Sequence, residues 1–149
     1  HKFIGGNCPT VDFKESKKNM KSVLDSIKQQ IPKSVHDCSK GGLAVAVAEL
    51  CMTNQIGCKV SLNKVPGEKL TDDRILFSES HSRYILTIDE KNIKKLENIL
   101  KKNKVTFQII GKFGGKKIHF ANGTKSIITL DVDKAQKTWL NSLKNLVLS

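Results

Sequence analysis

Apolar residues three and four positions apart predict helices along much of the chain. The predicted helices cover residues 17–31, 41–54, 72–77, the segment around 93–100, and a last stretch that begins at Asp131 or Asp133. Ser16 and Asp89 are the expected N-caps of the first of these helices and of the helix around 93–100. The helix over 41–54 is apolar on nearly every face, which indicates that it is buried.

Short apolar or alternating runs between the helices predict six strands. They cover residues 34–38, 58–62, 83–88, 106–110, 117–121 and 126–130. The last two flank Asn122-Gly123, a dipeptide typical of a tight hairpin. Because helices alternate with strands, we expect an α/β fold, built as a layered mixed sheet with flanking helices.

The last helix carries an apolar stripe that is expected to face the core. The stripe consists of Ala135, Trp139, Leu140, Leu143, Leu146 and Val147. Trp139 is the only tryptophan of the chain, and we expect it to anchor this helix rather than to bind a ligand.

The length of 149 residues and the 38% hydrophobic content suit one globular domain. We expect residues 1–15 to be an irregular segment, the end of a preceding domain or a linker, and residues 16–149 to form a single domain. The chain starts with His1 and not with Met, so it is expected to be part of a longer protein. No run of about 18 apolar residues is present, so no membrane-spanning helix is predicted.

The formal net charge is +12, and 24 of the 26 basic residues are lysines, Arg74 and Arg83 being the two arginines. Proteins that read nucleic-acid sequence rely on the bidentate contacts of arginine. The scattered lysines are therefore interpreted as solvent-exposed residues on helix faces. The alternative interpretation is a basic nucleic-acid-binding module. The four cysteines, at positions 8, 38, 51 and 58, form no zinc-binding pattern, so no metal site is predicted and a reducing cytoplasm is expected.

Polar and glycine residues follow the predicted strand 34–38 and lead into the buried helix. Asp37, Ser39, Lys40, Gly41 and Gly42 form this turn. A glycine turn at a helix start can hold a phosphate group, or it can let two segments of backbone approach closely. Cys38 within the turn fits a nucleophile or a buried structural thiol, and His36 fits a general acid or base or a hydrogen-bonded structural residue.

A second polar cluster precedes the strand 83–88. It consists of Ser78, Glu79, Ser80, Ser82 and Arg83. The hydroxyl groups and the guanidinium can bind phosphate oxygens. Alternatively, the serines satisfy their own backbone and Glu79 pairs with Arg83. We expect this cluster and the glycine turn to meet at neighbouring strand ends.

The sequence His-Asp-x-Ser-x-Gly-Gly-Leu-Ala-Val-Ala at 36–46, followed by Leu-Phe-Ser-Glu-Ser-x-Ser-Arg at 76–83, resembles the phosphoribosylformylglycinamidine synthase family. The likeness is to the C-terminal part of its synthetase subunit and covers about residues 5–147. Thiamine-phosphate kinase and the hydrogenase maturation factor share weaker versions of these motifs and are the alternatives.

The resemblance implies the C-type domain of the second half of an ATP-dependent carbon–nitrogen ligase, with partial likeness to the ferredoxin fold. The intact enzyme would use ATP, Mg²⁺ and ammonia from glutamine to convert formylglycinamide ribonucleotide to its amidine in purine biosynthesis. The implied partners are the upstream domains of the same chain, a glutaminase subunit and a small accessory subunit. The fragment alone is expected to be inactive, cytoplasmic and able to form a homodimer.

In such an enzyme the catalytic residues and most Mg²⁺ ligands lie in other domains. The resemblance therefore implies that this domain either scaffolds the enzyme or binds an auxiliary phosphate or nucleotide, and it assigns the two motifs to that auxiliary site. Its candidate residues are Asp37, Ser39, Lys40, Gly41, Gly42, Ser78, Glu79, Ser80, Ser82 and Arg83. Lys40 stands where many members carry Asp, which argues against a cation at this turn and allows a direct contact with phosphate.

Overall fold

Five helices and six strands alternate along the chain in the computed structural model, which describes residues 8–147. They are α1 (Phe13–Lys28), β1 (Pro32–Asp37), α2 (Gly42–Asn54), β2 (Cys58–Ser61), α3 (Asp72–Phe77), β3 (Tyr84–Ile88), α4 (Ile93–Lys102), β4 (Gly111–Phe113), β5 (Lys117–Asn122), β6 (Lys125–Asp131) and α5 (Val132–Val147). The predicted irregular segment 1–15 falls partly outside the described residues, including its Gly5-Gly6-Asn7 sequence.

The strands form two sheets. β1 and β3 make an antiparallel pair, and the other four strands are ordered β4-β2-β5-β6. In this second sheet β2 runs parallel to β5 and antiparallel to β4, and β5 and β6 form an antiparallel hairpin. The predicted α/β fold with mixed strand directions and flanking helices is therefore confirmed, with the strands divided between two sheets.

The largest core cluster lies around α2, as its uniformly apolar sequence predicted. Cys51 of this helix is fully buried, and it packs in one cluster with Phe120 of β5 and Val132 of α5. A smaller cluster of Ile31, Leu96 and Leu100 lies under α4. Within residues 8–147 none of the helices combines the length and the apolar character needed to cross a bilayer.

The first turn of α2 packs directly onto the backbone at the end of α3. A Cβ atom on Gly42 would lie 2.6 Å from the carbonyl oxygen of Ser78 and 2.8 Å from that of Leu76. Gly42 also has a φ of +63°, which favours glycine. This position therefore allows helix and loop to approach more closely than any side chain permits.

Two predicted helix caps are wrong. The N-cap of α1 is Asp12 and not Ser16. Its Oδ1 accepts hydrogen bonds from the N–H groups of Lys14 (2.9 Å) and Glu15 (3.0 Å). Ser16 thus lies inside the first turns of the helix. Asp89 precedes a short 3₁₀ turn and its side chain makes no capping hydrogen bond.

The predicted strand over 106–110 is also wrong, because these residues have no ladder partner and the strand β4 follows at Gly111–Phe113. Ile110 contributes only a carbonyl oxygen, which accepts from the N–H of Ser61 at 2.8 Å. A Cβ atom on Gly111 would lie 2.2 Å from the carbonyl oxygen of Lys59. Position 111 therefore requires glycine for β4 to pair with β2.

Among the described side chains of the α5 apolar stripe, those at its start face the core and the later ones do not. Val132 and Ala135 are buried, whereas Trp139 is 55% exposed and Leu140 is 68% exposed. The helix contacts α2 and β6. Trp139 does not anchor the helix in this domain, and Val147 is exposed as well. The side chains of Leu143 and Leu146 lie outside the described residues.

Replacing Gly42 with alanine is expected to destabilise the domain more than the same change at Gly123. The two glycines have φ values of +63° and +60°, so both variants carry a left-handed backbone penalty of about 1–2 kcal/mol. Only at position 42 does the added Cβ meet backbone atoms, which adds about 1–3 kcal/mol. Denaturant titration measures the two free energies of unfolding. Equal losses would show that close packing at Gly42 is not required.

Candidate functional site

The two polar motifs lie side by side at one end of the β1–β3 pair. Asp37 is the register partner of Tyr84, and the N–H of Cys38 donates to the carbonyl oxygen of Arg83 at 2.9 Å. Because the strands are antiparallel, the end of β1 and the start of β3 bring the glycine turn next to the serine loop. The expectation that the motifs meet at neighbouring strand ends is confirmed.

An open cleft of about 310 Å³ lies between the turn and the loop. Seven of the predicted site residues line it: Asp37, Ser39, Lys40, Glu79, Ser80, Ser82 and Arg83. Cys38, His81 and Tyr84 complete the lining. Gly41, Gly42 and Ser78 do not line the cleft, and instead form the contact between α2 and the loop behind it.

Glu79 reaches across to the start of α2. Its Oε1 accepts a hydrogen bond of 2.9 Å from the N–H of Gly41, the N-cap residue of this helix. A helix N-terminus has unpaired N–H groups and a partial positive charge, so a carboxylate is favourable there. Glu79 therefore occupies a position at which the sequence alone allowed a phosphate group.

The Arg83 guanidinium binds the loop that precedes it. Its Nη2 donates to the carbonyl oxygen of Ser78, and its Nε lies 3.5 Å from the carbonyl oxygen of Ser80. The predicted pairing of Glu79 with Arg83 is not found among the ion pairs of the described residues. Each of the two charged groups instead fixes a separate backbone segment.

Helix α1 supports the loop from behind, a role that the sequence pattern did not reveal. Ser82 has a φ of +62° and its hydroxyl donates to the Ser16 hydroxyl at 2.5 Å. The Asn19 side-chain amide donates to the Ser82 carbonyl oxygen at 3.2 Å. The sequence feature that could have predicted this contact is the spacing of small polar residues at Ser16, Asn19 and Ser22, which places them on the helix side that packs against backbone.

The charges at the cleft are mixed. Asp37 and Glu79 supply carboxylates, and Lys40 and Arg83 supply cations. Lys40 is exposed and takes part in none of the ion pairs found within residues 8–147. Its ammonium group is therefore the cleft cation that is available to an incoming anion.

Cys38 is a buried thiol at the base of the cleft. Burial raises the pKa of the Cys38 thiol, and the nearby Arg83 opposes this effect only partly. The thiolate is the nucleophilic form of cysteine. These surroundings therefore favour the structural alternative for Cys38 over the nucleophilic one.

His36 has a polar partner on each side of its ring, a carboxylate at Nε2 and a backbone carbonyl oxygen at Nδ1. Its Nε2 lies 2.9 Å from Glu49 Oε2 on α2, and its Nδ1 lies 2.6 Å from the carbonyl oxygen of Asp37. The ring thereby ties β1 to α2, as expected for a structural histidine. The described residues contain no group of three or more His, Cys, Asp or Glu side chains placed to bind a metal ion.

Comparison with known proteins identifies the family. The family model for "AIR synthase related protein, C-terminal domain" matches residues 5–122. The phosphoribosylformylglycinamidine synthase subunit PurL of Thermococcus sibiricus is 35% identical over 143 residues, which are 95% of this chain and 19% of that protein. The same subunit of Methanocaldococcus jannaschii is 33% identical over 147 residues, 99% of this chain and 20% of that protein. The chain thus spans about a fifth of the length of these relatives.

Solved structures show the same fold. The crystal structure of phosphoribosylformylglycinamidine synthase II from Thermotoga maritima matches this chain with a TM-score of 0.79 at 18% identity. The match covers 86% of this chain and 22% of the Thermotoga maritima chain. The PurLQS structure from the same organism also gives 0.79, at 17% identity over 87% of this chain and 23% of that one. With the family model matched over most of its length, this chain belongs to the family defined by the C-terminal domain of AIR synthase related proteins.

Proposed function

We propose that this chain is the C-type domain of the second half of a phosphoribosylformylglycinamidine synthase subunit. Such a subunit is an ATP-dependent carbon–nitrogen ligase that converts formylglycinamide ribonucleotide to its amidine. The order of the two motifs supports this proposal, as does the identity of 33–35% to PurL proteins over nearly the whole chain. Because the chain spans about a fifth of those proteins, the reaction would also need the other domains.

Related Thermotoga maritima structures contain ligands of the purine pathway enzyme. They are complexes of PurL with ATP, with ADP and with FGAR, and an assembly named PurLQS. By extension we propose that the longer protein uses ATP and Mg²⁺, resides in the cytoplasm and works with a glutaminase subunit and a small accessory subunit. Following the family resemblance, we propose that other domains hold most of the Mg²⁺ ligands.

Within that protein we propose that the domain acts mainly as a scaffold. The observation that carries this role is the hydrogen bond from the Gly41 N–H to the Glu79 carboxylate. It fills the anion position at the start of α2 with a group of the chain itself. With the Arg83 contacts to the loop carbonyl oxygens, it fixes the turn and the loop in one rigid unit.

Binding of an auxiliary phosphate group is a second role, supported by residues that line the cleft. Ser39, Lys40 and Ser80 are among the lining residues, and they supply two hydroxyl groups and one ammonium group that takes part in no ion pair found within residues 8–147. Hydroxyl and ammonium donors are suited to phosphate oxygens. A phosphate here would lie beside Glu79 rather than in its place.

Reconstitution tests the proposed enzyme. The chain is combined with the remaining domains of the longer subunit, expressed separately, and ATP- and ammonia-dependent amidine formation is measured. We expect activity in the combined sample and none in either part alone, because the ATP-handling residues lie outside this chain. A soluble, stoichiometric complex without activity would contradict the proposal.

The scaffold role predicts that Glu79→Ala lowers the free energy of unfolding by about 1 kcal/mol, because the Gly41 N–H loses its side-chain acceptor. Glu79→Gln keeps an acceptor oxygen in place and is expected to lose less. Glu68→Ala, at an exposed loop carboxylate outside the cleft, is the matched control and is expected to be neutral. Urea titration of the three variants measures these differences, and a neutral Glu79→Ala would argue against the scaffold role.

The phosphate role predicts that the domain binds ADP and that Lys40→Ala weakens this binding by about tenfold or more, because a charge-assisted hydrogen bond is lost. Lys69→Ala removes an equally exposed lysine away from the cleft and is expected to have no effect. Isothermal titration calorimetry measures both affinities. If ADP does not bind, or if the two variants behave alike, the cleft has no phosphate site and only the scaffold role remains.

A further inference from the structure

Helix α1 turns its polar side inward. Ser22 and Ser26 are fully buried, and their hydroxyls bond to carbonyl oxygens of the same helix, Lys18 at 2.8 Å and Val23 at 2.7 Å. This side packs against α4 and β1. A surface helix of a globular domain normally buries its apolar side. The arrangement in α1 therefore leaves the apolar side facing away from the domain.

Eight exposed residues form what we call the α1 outer face: Phe13, Lys14, Lys17, Met20, Lys21, Leu24, Ile27 and Lys28. At 100° per residue they fall within an arc of about 140°, directly opposite the buried serines. The arc divides into two parallel rows, one apolar and one basic. Neither row contains a residue of the other kind.

The apolar row consists of large side chains in open solvent. Phe13 is 81% exposed, Leu24 54%, Met20 51% and Ile27 46%. The spacing of these residues, seven, four and three positions apart, repeats the a and d pattern of helices that pack against another helix. A contiguous apolar row of this kind marks an interaction surface.

The basic row runs beside it. Lys14, Lys21 and Lys28 recur at every seventh position, and Lys17 lies between the two rows. None of the four takes part in the ion pairs found among the described residues. The α1 outer face contains no carboxylate, and the half-buried Asp25 is the carboxylate next to its basic row. Four lysines against one carboxylate leave this side of the apolar row with an excess of positive charge.

We propose that the α1 outer face docks a protein partner that presents an apolar ridge bordered on one side by Asp and Glu residues. Charge complementarity selects this occupant, because four lysines along one flank attract carboxylates and repel basic surfaces. A second copy of the chain is disfavoured, since its own α1 outer face would bring lysines and no carboxylate. The surface is separate from the cleft, so this inference does not depend on phosphate binding there.

The size of the relatives fits a partner of this kind. The chain spans about a fifth of their length, so we assign the acidic ridge to a further domain of the same polypeptide. Docking here would also press on the serine loop from behind. Ser16 and Asn19, on the inner side of the same helix, hold Ser82.

A designed peptide tests the recognition chemistry on the intact chain. The probe is a helical peptide of about three heptads with Leu at the a and d positions and Glu at the flanking positions. We expect it to bind the chain, measured by fluorescence anisotropy, and to bind more weakly as salt increases. We expect the Lys21→Glu/Lys28→Glu variant to bind at least about tenfold more weakly, and Met20→Ser/Leu24→Ser to abolish binding.

Two controls make the peptide result specific. Lys94→Glu/Lys95→Glu changes two exposed lysines of α4 and is expected to leave binding unchanged. A peptide with Lys in place of Glu is expected not to bind. Equal binding of both peptides, or no binding of the acidic one, would overturn the proposal. So would preferential binding to phosphatidylglycerol vesicles through the α1 residues, since that would identify a membrane surface instead.

Thiol labelling identifies where the partner comes from. In a Cys8→Ser background, which removes the exposed native thiol, Leu24→Cys reports on access to the α1 outer face. We expect fast maleimide labelling in this chain alone and protection in the longer subunit, where the other domains of the polypeptide are present. Protection that appears only after other subunits are added would overturn the assignment to the same polypeptide and identify a separate subunit.

Labelling that stays fast in a fully assembled, active complex would overturn the docking proposal and leave the proposed function intact. Conversely, an inactive reconstitution does not affect the peptide result. The two failures are therefore distinguishable.

Discussion

The contact between the first turn of α2 and the backbone of residues 76–78 is the constraint on which the rest of the domain depends. Gly42 makes it feasible, because any larger residue would place a Cβ atom within 2.6 Å of the Ser78 carbonyl oxygen. The contact joins the buried helix to the loop that leads into β3. It thereby determines where Glu79 can reach the Gly41 N–H and where Arg83 can reach the loop carbonyl oxygens. The close contact at Gly42 therefore determines both the packing of α2 and the geometry of the cleft.

The charged residues of the cleft show how a motif that resembles a phosphate site can instead make hydrogen bonds within the protein. The donors that could bind a phosphate are also the donors that a tight loop needs for its own carbonyl oxygens. Arg83 donates to a loop carbonyl oxygen, Glu79 accepts from the N–H at the start of α2, and Lys40 remains exposed. A motif of this composition can therefore be kept for its internal hydrogen bonds, independently of whether a ligand binds beside it.

The sequence predicted those features that depend on local pattern. The uniformly apolar run of α2 defined that helix to within one residue, and the Asn122-Gly123 dipeptide located the β5–β6 hairpin. The division into two sheets was not predictable, because the parallel pairing of β2 with β5 depends on distant contacts. Trp139 lies on an apolar stripe, as predicted, but periodicity does not tell whether this domain or another one covers the stripe. At the site, the expected adjacency of the motifs is correct, although the β1–β3 pairing that produces it skips β2. The internal hydrogen bonds of Glu79 and Arg83 could not be predicted, because residues of these types can equally bind a ligand.

The pairing of β2 with β5 has a consequence for the order of events during synthesis. Cys58 is aligned with Ile118, so the central sheet cannot close before most of the chain has left the ribosome. Until then the apolar surface of α2 lacks the strand residues that cover it, among them Phe120. Contacts between distant positions form slowly and leave apolar surface open to aggregation. In a nascent chain of this domain, the surface of α2 is therefore exposed to aggregation until β5 has been made.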